Sequence, residues 1–262
     1  MTRAPDFFSA NAASYDRSRP SRLSDSARDA IVQAAGLPLQ GCILDVAAGT
    51  GRVAIPLAGA GYRVVAVDRS EEMLHVLRGK AAAERVTGVA ASGASLPFGN
   101  RTFDAVLIAR LLYLTPEWQH ILVEALRVLA AGGHLLHEWA NGTPSEPSVQ
   151  IKEHLRTLLE EAGVVQSFHA GVRRESDVDT FLSECGCALV DAVDVPLDEG
   201  MTVGDFLRKI EAGEFSYTWS APTSVKDRCA AALRFWASER FDMGAPAFGT
   251  STSWKVFAAT TQ

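Results

Sequence analysis

The sequence predicts an α/β fold, a doubly wound and mostly parallel sheet of seven strands with helical additions. Three observations predict it. Apolar runs of strand length alternate with helical patterns from residue 42 to residue 139, as expected for a parallel sheet with helices on both faces. The run Ile43-Leu44-Asp45-Val46 enters a turn, Ala47-Ala48-Gly49-Thr50-Gly51-Arg52, with two glycines one residue apart, so backbone can pass close to a ligand where a Cβ would collide. The next run, Val64-Val65-Ala66-Val67, ends in Asp68. An acid at the carboxyl end of that strand can accept hydrogen bonds from both ribose hydroxyls of a nucleoside.

The elements follow in chain order. A helical arm lies around Asp25–Ala35. Strands at 42–47, 63–67, 86–91, 103–108 and 133–139 alternate with helices at 51–60, 71–83 and 116–130. Gly41, Gly61 and the Gly132-Gly133 pair stand just ahead of strands, where helix ends and turns need them. Beyond residue 140 the pattern changes. A loop at 141–147 leads to a helix over Val149–Ala162, a second over Asp177–Glu184 and a strand over Ala188–Val195. Helices near Val203–Ala212 and Ser224–Phe241 precede a last strand, Ser253–Thr260.

The glycine turn fits two cofactor classes. Gly49-Thr50-Gly51-Arg52-Val53-Ala54 satisfies the dinucleotide form G-x-G-x-x-A, with Asp68 near the ~20-residue distance of a ribose acid. Against this stands Asp45, an acid on the first strand followed by small residues at alternate positions. With Ser92-Gly93-Ala94-Ser95-Leu96-Pro97-Phe98, Phe103-Asp104-Ala105-Val106-Leu107-Ile108 and Val123-Glu124-Ala125-Leu126-Arg127-Val128-Leu129-Ala130-Ala131-Gly132-Gly133, this order of motifs resembles the class I S-adenosylmethionine (SAM) methyltransferases. The resemblance is to the branch that includes the ubiquinone and menaquinone C-methyltransferases. It covers residues 43 to 139 and departs from the pattern at Ala47, where the first glycine stands, and at Ser92, where an acid is usual.

The resemblance implies a Rossmann-like methyltransferase fold whose final strand inserts antiparallel beside the sixth. It also implies SAM as cofactor, leaving S-adenosylhomocysteine. Backbone around Ala47, Gly49 and Gly51 would lie against the methionine and ribose, with Asp45 beneath. Asp68 would take the ribose hydroxyls, Arg69 and Met73 would border the adenine, and Ser92, Gly93 and Ala94 would read its edge. Ala109 and Arg110 would close the site after the fourth strand. In the arm, Tyr15 would fold over the methionine end; Arg19 is a candidate partner for its carboxylate on chemical grounds, since a guanidinium fork suits that group. A non-catalytic SAM-binding protein and an NAD-dependent oxidoreductase are the competing functions.

On this reading residues 1–40 form the arm and 41–143 the cofactor-binding core. Residues 144–175 form a helical lid insertion, 176–197 the next core helix and the sixth strand, 198–248 a second helical lid insertion and 249–262 the final strand. His137 and Glu138, at the end of the fifth strand, are the candidate bases, and alternation sends them to opposite sheet faces. Tyr113 and Trp139 are candidate substrate contacts. The aromatic stretches Phe215–Trp219 and Phe235-Trp236 are read either as pocket lining or as packing within the additions.

Composition narrows the partners. The 262 residues are 47% hydrophobic and 21% charged, ordinary globular values that allow a substantial core. A net charge of −6 offers no general attraction to nucleic-acid phosphates. No run approaches the ~20 apolar residues of a membrane helix, and Met1–Asp6 lacks a signal-peptide core. A cytoplasmic protein, monomer or homodimer, acting on a small molecule is expected. Cys42, Cys185, Cys187 and Cys229 have neither zinc-ligand nor disulfide-framework spacing, so no metal is expected.

Overall fold

The computed structural model describes residues 7–16, 23–80, 85–139, 145–164, 170–196, 200–249 and 251–259. The arm holds two helices, α1 (Phe7–Tyr15) and α2 (Asp25–Ala34); α1 was not anticipated. The core then runs β1 (Cys42–Val46), α3 (Ala54–Gly59), β2 (Arg63–Asp68), α4 (Glu71–Arg78), β3 (Val86–Ala90), β4 (Phe103–Ala109), α5 (Trp118–Val128) and β5 (Leu129–Glu138). Next come α6 (Glu146–Glu161), α7 (Glu175–Glu184), β6 (Cys187–Pro196), β7 (Met201–Thr202), α8 (Val203–Glu211), α9 (Thr223–Ser238), β8 (Pro246–Phe248) and β9 (Ser251–Ala259).

Seven strands form one sheet in the order β3-β2-β1-β4-β5-β9-β6. The first five are parallel, and β9 runs antiparallel between β5 and β6. The expected architecture is therefore present, with its last strand flanked on both sides. β1 pairs with β2 on one side and β4 on the other, so strand order reverses there. Ligand crevices of open α/β sheets lie at the carboxyl ends beside such a reversal.

Strand alternation divides the core. Ile43, Leu107, Leu136 and Val256 face one side with α2, α3 and α4. Leu44, Val106, Leu135 and Phe257 face the other with α5 and α7. Each strand in the middle is apolar on both faces, as expected where helices cover both. Two helix starts show why the chain turns where it does: Ser70 caps α4 by accepting from Met73 N at 3.1 Å, and Thr202 forms a capping box with Asp205 in α8.

The additions pack on each other. Ile151 and Leu155 of α6, Phe206 and Ile210 of α8, and Leu233 of α9 form a third core, and β7 pairs with β8. The described parts of the two insertions thus pack as one helical module. Phe215 and Tyr217 stack at 5.2 Å within it, and His154 stacks on Trp236 at 4.2 Å. These aromatics pack the module together, while Phe235 points outward at 67% exposure. No helix of the described residues is long and apolar enough to cross a membrane.

Candidate functional site

The turn after β1 is built from left-handed residues: Ala47 at φ 58°, Gly49 at φ 54° and Gly51 at φ 87°. The two glycines serve different ends. A Cβ at Gly51 would stand 2.9 Å from Ile55 side-chain atoms and 3.0 Å from Leu77 Cγ, whereas one at Gly49 would meet nothing within 4 Å. Gly51 lets the turn close on the core, and Gly49 leaves its backbone open to a ligand. The predicted helix therefore begins at Ala54 rather than at residue 51. Asp68 pins the turn from the next strand: its Oδ2 accepts from Gly49 N at 2.8 Å and its Oδ1 from Ser70 N at 2.9 Å.

An open cavity of ≈ 1240 Å³, counted out to its mouth, lies above this turn. Among the expected residues, Tyr15, Asp45, Ala47, Gly49, Asp68, Arg69, Met73, Ser92, Gly93, Ala109 and Arg110 line it. Gly51 and Ala94 stand behind the wall, and Arg19 falls outside the described residues. Gly93 comes close to the sheet, since a Cβ there would stand 2.8 Å from Val46 Cγ1.

Three ionisable side chains stand in the inner wall, Asp45, Arg52 and Arg110, with Glu138 behind them. Asp45, Glu138 and the guanidiniums of Arg52 and Arg110 gather on the α3 face of the sheet. Arg52 and Arg110 both pair with Glu138 Oε2, Arg110 through Nε at 3.4 Å. The Arg110 amide also donates to the Glu138 carbonyl at 2.8 Å. Asp45 is 2% exposed, and burial pushes its carboxyl up to about 7 while Arg52 pulls the other way. Burial, then Arg110, holds the Arg52 guanidinium below its ordinary value. Asp45 Oδ2, Arg110 Nη1 and Glu138 Oε1 are buried without a hydrogen-bond partner among the described residues.

Neither expected base reaches the cavity. His137 faces α7, with Nδ1 3.9 Å from Glu175 Oε1 and its ring 6.0 Å from Trp139. Burial first, and Lys255 second, depress its pKa to about 3. An imidazole so placed has no proton acceptor's access to a ligand above the glycine turn. Glu138 is 0% exposed and held behind the two arginines, so it balances charge. Tyr113 and Trp139 meet edge to face at 5.5 Å outside the cavity lining, where segment 170–172 hydrogen-bonds to residues 112 and 113.

The roof is the arm. Asp16 accepts from Thr50 Oγ1 at 2.6 Å and pairs with Lys80 at 2.7 Å, and Lys80 also donates to the Thr50 carbonyl at 2.5 Å. Ser9 donates to Ser70 Oγ at 2.8 Å. Phe8 and Tyr15 line the cavity and lie 5.4 and 6.5 Å from Trp219 of the helical module. The module therefore touches the arm, and its described residues do not line the cavity. Sequence reasoning missed Phe8, Asp16, Thr50 and Arg52. Asp16 and Thr50 adjoin residues it did select, but their pairing spans 34 positions.

The chemistry of the wall fits the cofactor that the sequence suggested. Gly49 opens toward the cavity and the Asp68 carboxylate lines it from the end of β2, while Asp45 Oδ2 has no hydrogen-bond partner among the described residues. Residues 43–133 match a family described as a methyltransferase domain. A demethylmenaquinone methyltransferase of Clavibacter sepedonicus is 46% identical over 95 residues, 36% of this chain and 39% of that one. A ubiquinone/menaquinone biosynthesis C-methyltransferase of a Marinomonas species is 34% identical over 40% of this chain and 45% of that one. The chain thus spans about two fifths of the length of these curated relatives. A crystal structure of a putative methyltransferase from an antibiotic biosynthesis pathway of Anabaena variabilis superposes with TM-score 0.65 at 14% identity, over 92% of this chain and all of that one. A [4+2]-cyclase, SpnF, shares the fold at TM-score 0.57 and 16% identity, over 90% and 82%. Residues 43–133, which carry the glycine turn, thus match a methyltransferase domain, and the seven-stranded sheet around them is the Rossmann-like fold of the solved methyltransferase structures.

Proposed function

We propose that the protein transfers a methyl group from SAM to oxygen, nitrogen or carbon of a small-molecule acceptor by in-line displacement. The observation that carries this is Asp68 holding the Gly49 amide beneath open cavity, with Ala47 and Gly49 presenting backbone to the same space. Asp68 takes the ribose hydroxyls. Arg69 and Met73 border the adenine, whose edge is read at Ser92, Gly93 and Ala94. Asp45 serves the methionine end, Ala109 and Arg110 close the wall after β4, and Tyr15 closes the roof from the arm, whose Arg19 is assigned to the same end. When bound, SAM supplies a sulfonium-activated methyl group.

The protein's own part is placement. Alignment of nucleophile and methyl supplies up to several kcal/mol, within the ~7–11 of ideal orientation, and the arm keeps water from the reacting centre. His137 and Glu138 take no proton in this scheme, which suits an acceptor whose nucleophile is already deprotonated or loses its proton to solvent. The latched arm supports a small acceptor over a polymer. The helical module, 144–175 with 198–248, acts as the arm's support rather than as pocket wall, and the protein works in the cytoplasm as monomer or homodimer.

Because a cyclase shares the fold, cofactor binding and methyl transfer need separate tests. Calorimetric titration with SAM, S-adenosylhomocysteine, NAD and NADP addresses the first. Micromolar binding of the two sulfur nucleosides alone is expected, and binding of NAD instead would overturn the assignment. Transfer of labelled methyl from SAM to pooled small-molecule acceptors addresses the second.

A further inference from the structure

Arg110 departs from what a buried surface requires in two ways at once. Its backbone sits at φ 55°, a left-handed conformation that strains a residue with a Cβ, and its guanidinium carries an unmatched donor. The side chain is only 11% exposed. Its Nε reaches Glu138 Oε2 at 3.4 Å, its Nη1 has no hydrogen-bond partner among the described residues, and the residue lines the cavity.

Arg52 and Arg110 share the single carboxylate of Glu138. Burial pushes up the carboxyl of Asp45, the other acid of the group, so it offsets the two guanidiniums less than a fully ionised carboxylate would. Guanidinium forks suit planar carboxylates, and an apolar ligand group at this point would leave a buried donor unmet.

We propose that Arg110, braced by Glu138 and with Arg52 behind it, is a carboxylate-binding site in the cavity wall. This rests on the SAM reading and deepens it. The carboxylate has two sources, the amino-acid end of the cofactor or an acid group on the acceptor. Either way, a small molecule bound in this cavity presents a carboxylate to β4.

The test compares S-adenosylhomocysteine with 5′-methylthioadenosine, which lacks the amino-acid end, by calorimetry on wild type, Arg110→Met and Arg110→Lys. Each protein is also titrated with benzoate and benzamide after saturation with S-adenosylhomocysteine. If the cofactor supplies the carboxylate, both variants lower S-adenosylhomocysteine affinity by about tenfold to a hundredfold, the range for a hydrogen bond to a charged group, while methylthioadenosine changes less than twofold. If the acceptor supplies it, both nucleosides bind the variants unchanged, benzoate but not benzamide binds wild type, and benzoate binding is lost in Arg110→Met. Equal weakening of both nucleosides would overturn the site, because Arg110 would then only hold the shape of the wall. Unchanged nucleosides with no benzoate binding to wild type would also overturn it, leaving a guanidinium that merely closes onto Glu138. Failure of wild type to bind either nucleoside sinks the SAM reading instead, and benzoate titration of the free protein then decides the site alone.

Discussion

The Gly49 amide donates to Asp68 Oδ2 across 2.8 Å, joining the glycine turn to the end of the neighbouring strand before any ligand arrives. Asp68 therefore sets the turn's shape as well as facing the cavity. Asp68→Asn is the discriminating change, because either orientation of the amide turns its NH2 against a backbone donor, Gly49 N or Ser70 N. The variant should lose ~1–3 kcal/mol of stability and bind S-adenosylhomocysteine and methylthioadenosine at least about tenfold more weakly. Calorimetry and urea unfolding measure the two effects. Unchanged nucleoside affinity would remove Asp68 from the ribose.

The two glycines of the turn should separate folding from binding. Gly51→Ala places a methyl against Ile55 and Leu77 at φ 87°, combining overpacking with strain, and should cost about 2–4 kcal/mol of stability. Gly49→Ala meets no protein atom within 4 Å, so only ~1–2 kcal/mol of strain applies. Its methyl enters the cavity, and nucleoside affinity should fall further than stability does. Denaturant midpoints beside dissociation constants read the contrast.

The glycine turn and Asp68 were legible because a strand, a turn and the next strand are local patterns with fixed periods. The charged wall was not. Arg52 looks like a variable position of the motif, and its partner Glu138 is 86 residues away. Alternation correctly separated His137 from Glu138, yet it cannot say which face of β5 carries the cavity and which meets α7. That is decided by packing of Val178 and Leu182 against Leu135 and Phe257. What the helical additions pack against was hidden for a related reason. Amphipathic helices announce an apolar face, but α6, α8 and α9 bury theirs on one another.

Acid stability should report His137. Its ordinary pKa of 6.5 falls to about 3 on folding, so the folded state keeps it neutral while the unfolded chain takes a proton below 6.5. Stability from this residue is complete above pH 6.5 and drains as pH falls toward 3, by up to ~1.4 kcal/mol per unit. Asp45 runs the other way: raised from 3.8 to about 7, it contributes most below pH 4 and loses that contribution as pH rises to 7. His137→Phe should therefore gain on wild type as pH falls from 6.5 to 4, and Asp45→Asn should gain on it as pH rises from 4 to 7. Urea midpoints taken across pH 4–8 would show curves that diverge in opposite directions. Parallel curves would mean that the folded protein tolerates both charges.

Trp219 tests whether the helical module governs the arm. Its ring meets Phe8 at 5.4 Å and Tyr15 at 6.5 Å, both edge on, and its indole N–H is anchored on the Gly213 carbonyl at 2.9 Å. Aromatic pairs of this kind contribute ~0.5–1.5 kcal/mol each beyond area burial. Trp219→Ala should therefore favour the open arm by up to about 3 kcal/mol while α8 and α9 keep their own core. Asp16→Asn loosens the other end of the arm, at Thr50 and Lys80. Release of S-adenosylhomocysteine, followed by stopped flow, should quicken about tenfold or more in each variant. Hydrogen exchange should rise over residues 7–16 and not over 203–211. Release at the wild-type rate in Trp219→Ala would mean that the Asp16 contacts hold the arm without help from the module.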